Sequence, residues 1–158
     1  MHGAIATNKH VAHFDPMRGE YCQFCGEVET VEHLFLTCER LEGVLRIVQG
    51  WCSGLGRDFS RELYTCGPRY KYVKRRKVCL LNFLFGQAKL ATWKSRKNKR
   101  LGKGSFEAGD IVLGLVAARL RVEFTYYKLV RNLSQFVSVW GINGMLCEVE
   151  EGNLKMNL

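Results

Sequence analysis

The chain has 158 residues, enough for one domain, and its 47% hydrophobic content is sufficient for a core. The formal net charge is +9. No apolar run approaches the roughly 18 residues that a membrane-spanning helix needs, and the chain does not open with the pattern of a secretory signal. Because the seven cysteines are also an odd number, a secreted disulfide scaffold is disfavoured, and we expect an intracellular protein, nuclear or cytoplasmic.

Residues 1–40 are predicted to form an N-terminal segment with a metal site. The four candidate ligands follow the spacing Cys-x2-Cys-x7-His-x4-Cys and are Cys22, Cys25, His33 and Cys38. Zinc prefers four such ligands in a tetrahedron, and four protein ligands leave no position for a catalytic water. The spacing therefore predicts one structural zinc ion. The alternative is three ordinary reduced cysteines and a surface histidine.

The residues between the ligands indicate how the chain folds around the metal. Gly26, directly after the cysteine pair, favours a tight turn. Glu29 and Thr30 provide a polar start for a short helix that carries His33. Five residues on an unbroken α-helix would rotate the second ligand by about 140° away from the first. The helix is therefore predicted to end before Cys38.

Residues 41–140 are predicted to form a helical, basic domain. Apolar residues recur at three- and four-residue steps over 41–55, which predicts a helix there, and residues 57–70 have the composition of a loop. A long helix is predicted over 71–100. Its middle, residues 78–93, is apolar on nearly every side and therefore needs cover on more than one face.

A last long helix is predicted near residues 106–133, with Ser105 as a candidate cap. Its expected core stripe is Ile111, Leu115, Ala118, Val122 and Leu129. A short segment with Phe136, Val139 and Trp140 is predicted to pack back on the bundle. Residues 141–158 form a C-terminal tail, and its last ten residues are expected to be frayed. The predicted fold class is mainly α, with a small CCHC zinc-binding segment followed by a bundle of three to four helices.

The positive charge is concentrated in one block. Residues 69–103 contain 13 of the 24 basic residues and no acidic residue, so the other 11 basic residues face 15 acidic ones, a net of −4. Such a block favours binding to a polyanion, and the alternative is a solvated charged face. The candidate nucleic-acid contacts are Lys71, Lys74, Arg75, Arg76, Lys77, Lys94, Arg96, Lys97, Lys99 and Arg100. Residues 74–77 also match a short nuclear-import signal.

The sequence offers little for catalysis. All four histidines lie at or before position 33, so a nucleophilic Cys66 or Cys79 would lack a base if His33 binds metal. Clustered carboxylates that hold two catalytic metals are not evident. We therefore expect a non-enzymatic protein.

The segment CQFCGEVETVEHLFLTC, residues 22–38, resembles the zinc-binding segment that follows the polymerase domain in LINE-type (non-LTR) retrotransposon reverse transcriptases. HGAIATN, residues 2–8, resembles the stretch just upstream in that family. NFLFGQAKLATWKSRKNK, residues 82–99, and RLRVEFTYYKL, residues 119–129, resemble the helical C-terminal region of vertebrate elements.

The resemblance implies metal-ligand roles for Cys22, Cys25, His33 and Cys38, and binding of element RNA or target DNA in support of target-primed reverse transcription. Within the zinc segment, Phe24 is a candidate base-stacking residue. The chain has no Asp-Asp polymerase motif and no room for an endonuclease, so a truncated copy is expected, with an absent reverse transcriptase domain as a candidate partner. Two alternatives stay open: a protein-interaction module that docks through the apolar helix of residues 78–93, and a retroelement fragment without function.

Overall fold

The computed structural model describes residues 5–68, 75–103 and 107–158. The helices and strands in these ranges are α1 (Asn8–Ala12), α2 (Glu42–Gly54), α3 (Arg61–Cys66), α4 (Arg75–Arg100), α5 (Ala108–Leu129), α6 (Leu133–Trp140), β1 (Cys147–Glu150) and β2 (Asn153–Met156). Single helical turns lie at Pro16–Arg18, His33–Thr37, Glu39–Leu41 and Ile142–Gly144. The predicted class, mainly α with a small cysteine–histidine segment ahead of a helical bundle, is confirmed. None of the described helices is both long enough and apolar enough to cross a bilayer.

Helix α4 is the centre of the bundle, in contact with α2, α5 and α6. Its buried positions recur at three- and four-residue steps and include Leu81, Leu84, Phe85, Ala88 and Ala91. The two alanines allow close approach of the neighbouring helices because they add little side-chain bulk. The expectation that residues 78–93 need cover on more than one face is therefore confirmed. Most of the apolar surface of this helix is buried against other helices of the same chain.

Two segments differ from their predictions. The expected loop at residues 57–70 contains the short helix α3, in which the Ser60 hydroxyl accepts a hydrogen bond of 3.0 Å from the backbone N–H of Leu63. This helix buries Tyr64 edge-on against Phe85 of α4, with ring centroids 5.3 Å apart. The helix predicted over residues 106–133 ends at Leu129.

The predicted core stripe of α5 is only partly right: Ile111 and Leu115 pack partly buried against the core, whereas Ala118 is exposed. The buried face consists of Ala108, Val112, Val116 and Leu120, whereas Val122 is 64% exposed and Leu129 is 78% exposed. Apolar residues surround much of this helix, so several stripes fit the helical period equally well. Contact with α4 and α6 selects the face that is buried.

The C-terminal residues, expected to be frayed, form an antiparallel hairpin in which Cys147 pairs with Met156 and Glu150 pairs with Asn153. Both residues between the strands, Glu151 and Gly152, have positive φ, as a two-residue hairpin turn that matches the strand twist requires. Four-residue strands are too short to give a clear alternating pattern, which explains why the hairpin was not predicted.

Candidate metal centre and basic helix end

The first two candidate ligands lie in a tight turn. Tyr21 and Val28 form an isolated antiparallel bridge, and the N–H of Cys22 donates to the carbonyl of Glu27 at 2.7 Å. The N–H of Gly26 returns to the carbonyl of Cys22 at 3.0 Å, and Gly26 has a φ of +77°, a conformation that glycine adopts without a steric penalty. This turn brings the side chains of Cys22 and Cys25 close together.

The other two ligands lie at the ends of a π-helical turn, His33–Thr37. The Thr30 hydroxyl accepts a hydrogen bond of 2.9 Å from the N–H of His33, and the N–H of Cys38 donates to the carbonyl of His33 at 3.0 Å. Cys38 itself is extended, with ψ of 132°. The predicted end of the helix before Cys38 is confirmed. The wider five-residue turn, which the sequence did not predict, brings the two ligands to the same side.

The ligand atoms of Cys22, Cys25, His33 and Cys38 all lie within 4.8 Å of one another. The Sγ of Cys38 is 3.9 Å from that of Cys22 and 3.8 Å from that of Cys25. Tetrahedral zinc with Zn–S bonds of 2.3 Å requires S···S distances of about 3.8 Å. Cys25 Sγ and His33 Nε2 are 3.2 Å apart, somewhat closer than the roughly 3.6 Å of a tetrahedral S–Zn–N pair. The donor set and its spacing therefore fit one tetrahedral metal ion.

The electrostatics of the cluster also favour a cation. Burial, with the neighbouring Cys22 and Cys25 thiols adding to it, raises the pKa of the Cys38 thiol to about 12, while the backbone amide of Arg40 opposes this by donating to the sulfur. A bound metal ion would supply the positive charge that stabilises three closely spaced thiolates. With four protein ligands around it, such an ion has a structural role rather than an open catalytic position.

Arg40 links residues 20–40, the candidate metal-binding segment, to α4 through hydrogen bonds. Its guanidinium donates to the Ser95 hydroxyl at 3.0 Å and to the Thr92 carbonyl at 3.4 Å. The same group lies 4.0 Å from the ring centroid of Phe24, between the first two ligands. Phe24, predicted as a base-stacking residue, is thus partly buried with Arg40 over its ring, so that face is not available to a base.

A buried ion pair between Arg96 and Glu29 is the second link between α4 and the candidate metal-binding segment. Arg96 donates through Nε to Glu29 Oε2 at 2.9 Å and through Nη2 to Glu29 Oε1, and the two side chains are only 4% and 2% exposed. Asn8 completes the network: its Oδ1 accepts from Arg96 Nη2 at 3.0 Å, and its backbone N–H donates to Glu29 Oε1 at 2.7 Å. The carbonyl of Ala6 accepts from the same Nη2 at 3.3 Å. The N-terminal segment, the metal-binding segment and α4 therefore meet at one buried charge pair.

This burial corrects the sequence-based assignment of Arg96 to nucleic-acid contact. Its guanidinium is directed into the protein by Glu29 and is not available to a phosphate. A signal for this existed in the sequence, because Thr92, Ser95 and Arg96 continue the three- and four-residue stripe of the buried face of α4. The structural roles of Arg40, Glu29 and Asn8 carry no comparable signal, since nothing in the spacing of the chain places them beside α4.

The remaining candidate contacts fall into three groups. Lys71 and Lys74 lie outside the described residues, as does Ser105. Lys77 is half-buried, and its Nζ donates to the carbonyl of Leu55 at 3.2 Å, which fastens α4 to the end of α2. The exposed candidates are Arg75, Arg76, Lys94, Lys97, Lys99 and Arg100. Four of these six lie on the last two turns of α4, next to the metal-binding segment.

Comparison with known proteins shows a sequence similarity to a transposon protein. No family model matches the chain, and no solved structure matches it. The chain is similar to the "Transposon TX1 uncharacterized 149 kDa protein" of Xenopus laevis, with 33% identity over 149 residues. The similarity covers 94% of this chain but 11% of that protein. Nearly the whole chain is therefore related in sequence to a short part of a much longer transposon protein.

Proposed function

We propose that the chain is a zinc-stabilised nucleic-acid-binding module of retrotransposon origin, corresponding to the region after the polymerase domain of a LINE-type reverse transcriptase. The observation that carries the proposal is the attachment of the four-ligand cluster to the basic end of α4 through Arg40 and through the Glu29–Arg96 pair. The similarity to a transposon protein supports the origin. The proposed role is structural and binding rather than catalytic.

Zinc is the metal that best fits the donor set. Three thiolates and one imidazole are soft and borderline ligands, which favour zinc over magnesium or calcium. One zinc ion per chain is expected after purification from cells. Metal analysis of the purified protein tests this, and a metal-free protein with the same fold would contradict it.

Nucleic acid is the proposed partner because the exposed cations at the end of α4 lack acidic partners. In the described parts of the chain, no carboxylate lies within 4.0 Å of Lys94, Lys97 or Arg100. Unpaired cations on one helix end suit the phosphate backbone, which gives affinity without sequence information. Arg75 and Arg76 lie at the other end of the same continuous helix, about 27 Å from Lys94 at 1.5 Å per residue. The two ends would then contact phosphates well separated on one duplex or hairpin.

The test is binding to duplex DNA and to a structured RNA across a salt series. If about six phosphates are neutralised, affinity falls on the order of a thousandfold between 50 and 200 mM salt. A variant without the cations at the end of α4 should bind weakly, with a shallower dependence on salt. The substitutions are K94Q, K97Q, K99Q and R100Q, which leave the buried Arg96 in place.

A control variant with the same change of net charge separates a local contact from a general charge effect. It carries R46Q, R61Q, R121Q and K155Q, all at exposed positions on other elements. The control should keep most of the parent affinity. Equal losses in the two variants, or parental binding by the first, would contradict the assignment of this surface.

Docking of another protein remains the second candidate function. The apolar stripe of α4 is mostly covered within the chain, so it does not serve as a docking face as a whole. An open groove nevertheless exists beside it, between α4, α5 and α6. Its apolar lining consists of Leu80, Phe83, Val139 and Trp140, and Cys79 and three arginines, Arg75, Arg76 and Arg119, also line it. Binding of a reverse transcriptase domain there would survive high salt, because burial of apolar surface is not screened, whereas phosphate contacts would be lost.

A further inference from the structure

The last turns of α4 line an open pocket of about 430 Å³ on the protein surface. Its lining consists of Trp93, Arg96, Lys97, Arg100 and Leu101. These positions follow the three- and four-residue spacing of one helix face. The described lining contains one aromatic ring, one exposed apolar side chain and three cations, with no acidic group. A cavity of this size lies in the range of small-ligand sites.

Trp93 contacts the guanidinium of Arg96 in this pocket. The guanidinium carbon of Arg96 lies 4.8 Å from the indole centroid. Arg96 cannot leave that position without breaking its buried ion pair with Glu29, so the stacked contact is anchored from inside the protein. Trp93 is only partly buried, and Leu101 beside it is 55% exposed. Arg96 therefore covers one face of the indole, and the part of the ring that lines the pocket is what remains for a ligand.

The chemistry around the ring selects a flat ligand that carries negative charge. The indole offers a stacking surface, and Leu101 extends it with an apolar contact. Lys97 and Arg100, both exposed, lie one helical turn and two turns further along and are suited to phosphate oxygens. Arg96 is not counted among these cations because Glu29 neutralises it.

We propose that this pocket binds one unpaired base of a single-stranded nucleic acid, stacked on Trp93, with its flanking phosphates on Lys97 and Arg100. The inference rests on the proposed function and deepens it, because it names the form of nucleic acid that the basic helix end recognises. A base in a duplex is stacked on its neighbours and does not offer its face, whereas a base in a loop or an overhang does. Duplex binding then uses the cations alone.

The experiment compares a 12-nucleotide oligothymidine with a duplex of the same length, at one fixed salt concentration. The substitution W93L keeps an apolar side chain but removes the stacking surface, and W93F restores an aromatic ring. W93L should lower affinity for the single strand by about tenfold and leave duplex affinity unchanged, and W93F should recover most of the loss. Y126L is the control: it removes an aromatic ring that is 57% exposed on α5, away from the pocket, and should change neither affinity.

Circular dichroism and metal content of each variant verify that the fold is intact. If the parent protein binds neither nucleic acid, the proposed function itself fails, and the pocket assignment fails with it. If the parent binds both but W93L retains parental affinity for the single strand, only the pocket assignment is overturned. Equal losses on single strand and duplex would also overturn it, because stacking on an unpaired base affects the single strand alone.

Discussion

The metal-binding segment, residues 20–40, and the helical bundle around α4 are held together by different forces. In the bundle, apolar side chains such as Leu84 and Val116 are fully buried, and their removal from water stabilises the packing. The metal-binding segment has few such residues, and its turns converge on four ligand atoms. If the proposed zinc ion is bound, we expect a short segment of this kind to gain most of its folding free energy from the metal. We therefore infer that the chain contains a metal-dependent part and a metal-independent part, joined by the contacts of Arg40 and Arg96.

The largest expected effect comes from removal of a metal ligand. C38S removes one of the four ligands and should abolish stoichiometric metal binding. The effect on folding should be large, because structural zinc sites contribute on the order of 10 kcal/mol to the folding of small segments. The segment should unfold locally while α4 and α5 remain helical. Metal analysis and circular dichroism measure the two consequences separately.

Thiol alkylation of the parent protein sharpens the same prediction. Burial raises the pKa of the Cys52 and Cys147 thiols to about 11, so both should stay unreactive at neutral pH. Two exposed thiols, Cys66 and Cys79, should react in the metal-loaded protein. After a chelator removes the metal, the three ligand cysteines should react as well. C66S is the matched control for C38S and should keep the metal. Retention of one metal ion per chain by C38S would contradict the assignment.

The second effect concerns the buried pair that joins the two regions. E29Q leaves the Arg96 charge buried without a counter-charge and should lower the free energy of unfolding by about 3–5 kcal/mol. The double variant E29Q/R96M should lose less than the sum of the single losses, because neither side chain then carries a buried charge. Urea denaturation measures these differences. E32Q is the control, since Glu32 is 66% exposed and its ion pair with Arg61 is long, at 4.0 Å.

A core substitution tests the independence of the bundle. L84A should lower the free energy of unfolding by about 2–5 kcal/mol, because it leaves a cavity in the core where α4 packs against its neighbours. Its metal stoichiometry should stay at one ion per chain under native conditions. V122A, at a 64% exposed position of α5, should change stability by no more than about 0.5 kcal/mol. Loss of metal from folded L84A would show that the two regions are not separable.

The smallest effect is expected at the hydroxyl that starts the histidine-bearing turn. T30A removes the hydrogen bond to the N–H of His33 and should weaken metal affinity by about fivefold, which corresponds to about 1 kcal/mol. S60A removes a similar cap from α3, outside the metal-binding segment. S60A should lower stability without changing metal affinity. Equal metal affinities for T30A and the parent would contradict the role of this cap.

The sequence predicted the cysteine–histidine cluster and the helical class because both are encoded by spacing. Cys22, Cys25, His33 and Cys38 form a local pattern, and the long apolar stretch of α4 has a clear helical period. The burial of Arg96 was not predicted, since a block of basic residues indicates net charge but does not reveal which of its side chains is buried. Its partner, Glu29, is 67 residues away in the chain, and such long-range pairing has no signature in one sequence. The same reason applies to the buried face of α5, which contact with α4 and α6 determines.

Amide hydrogen exchange with and without a chelator tests the central claim most directly. The metal-loaded protein should show slow exchange both at the Cys38 amide, which donates to His33, and through the buried part of α4. After metal removal, residues 20–40 should exchange rapidly while α4 and α5 keep their protection. Unchanged protection of residues 20–40 without metal would contradict the account, as would loss of protection throughout the chain.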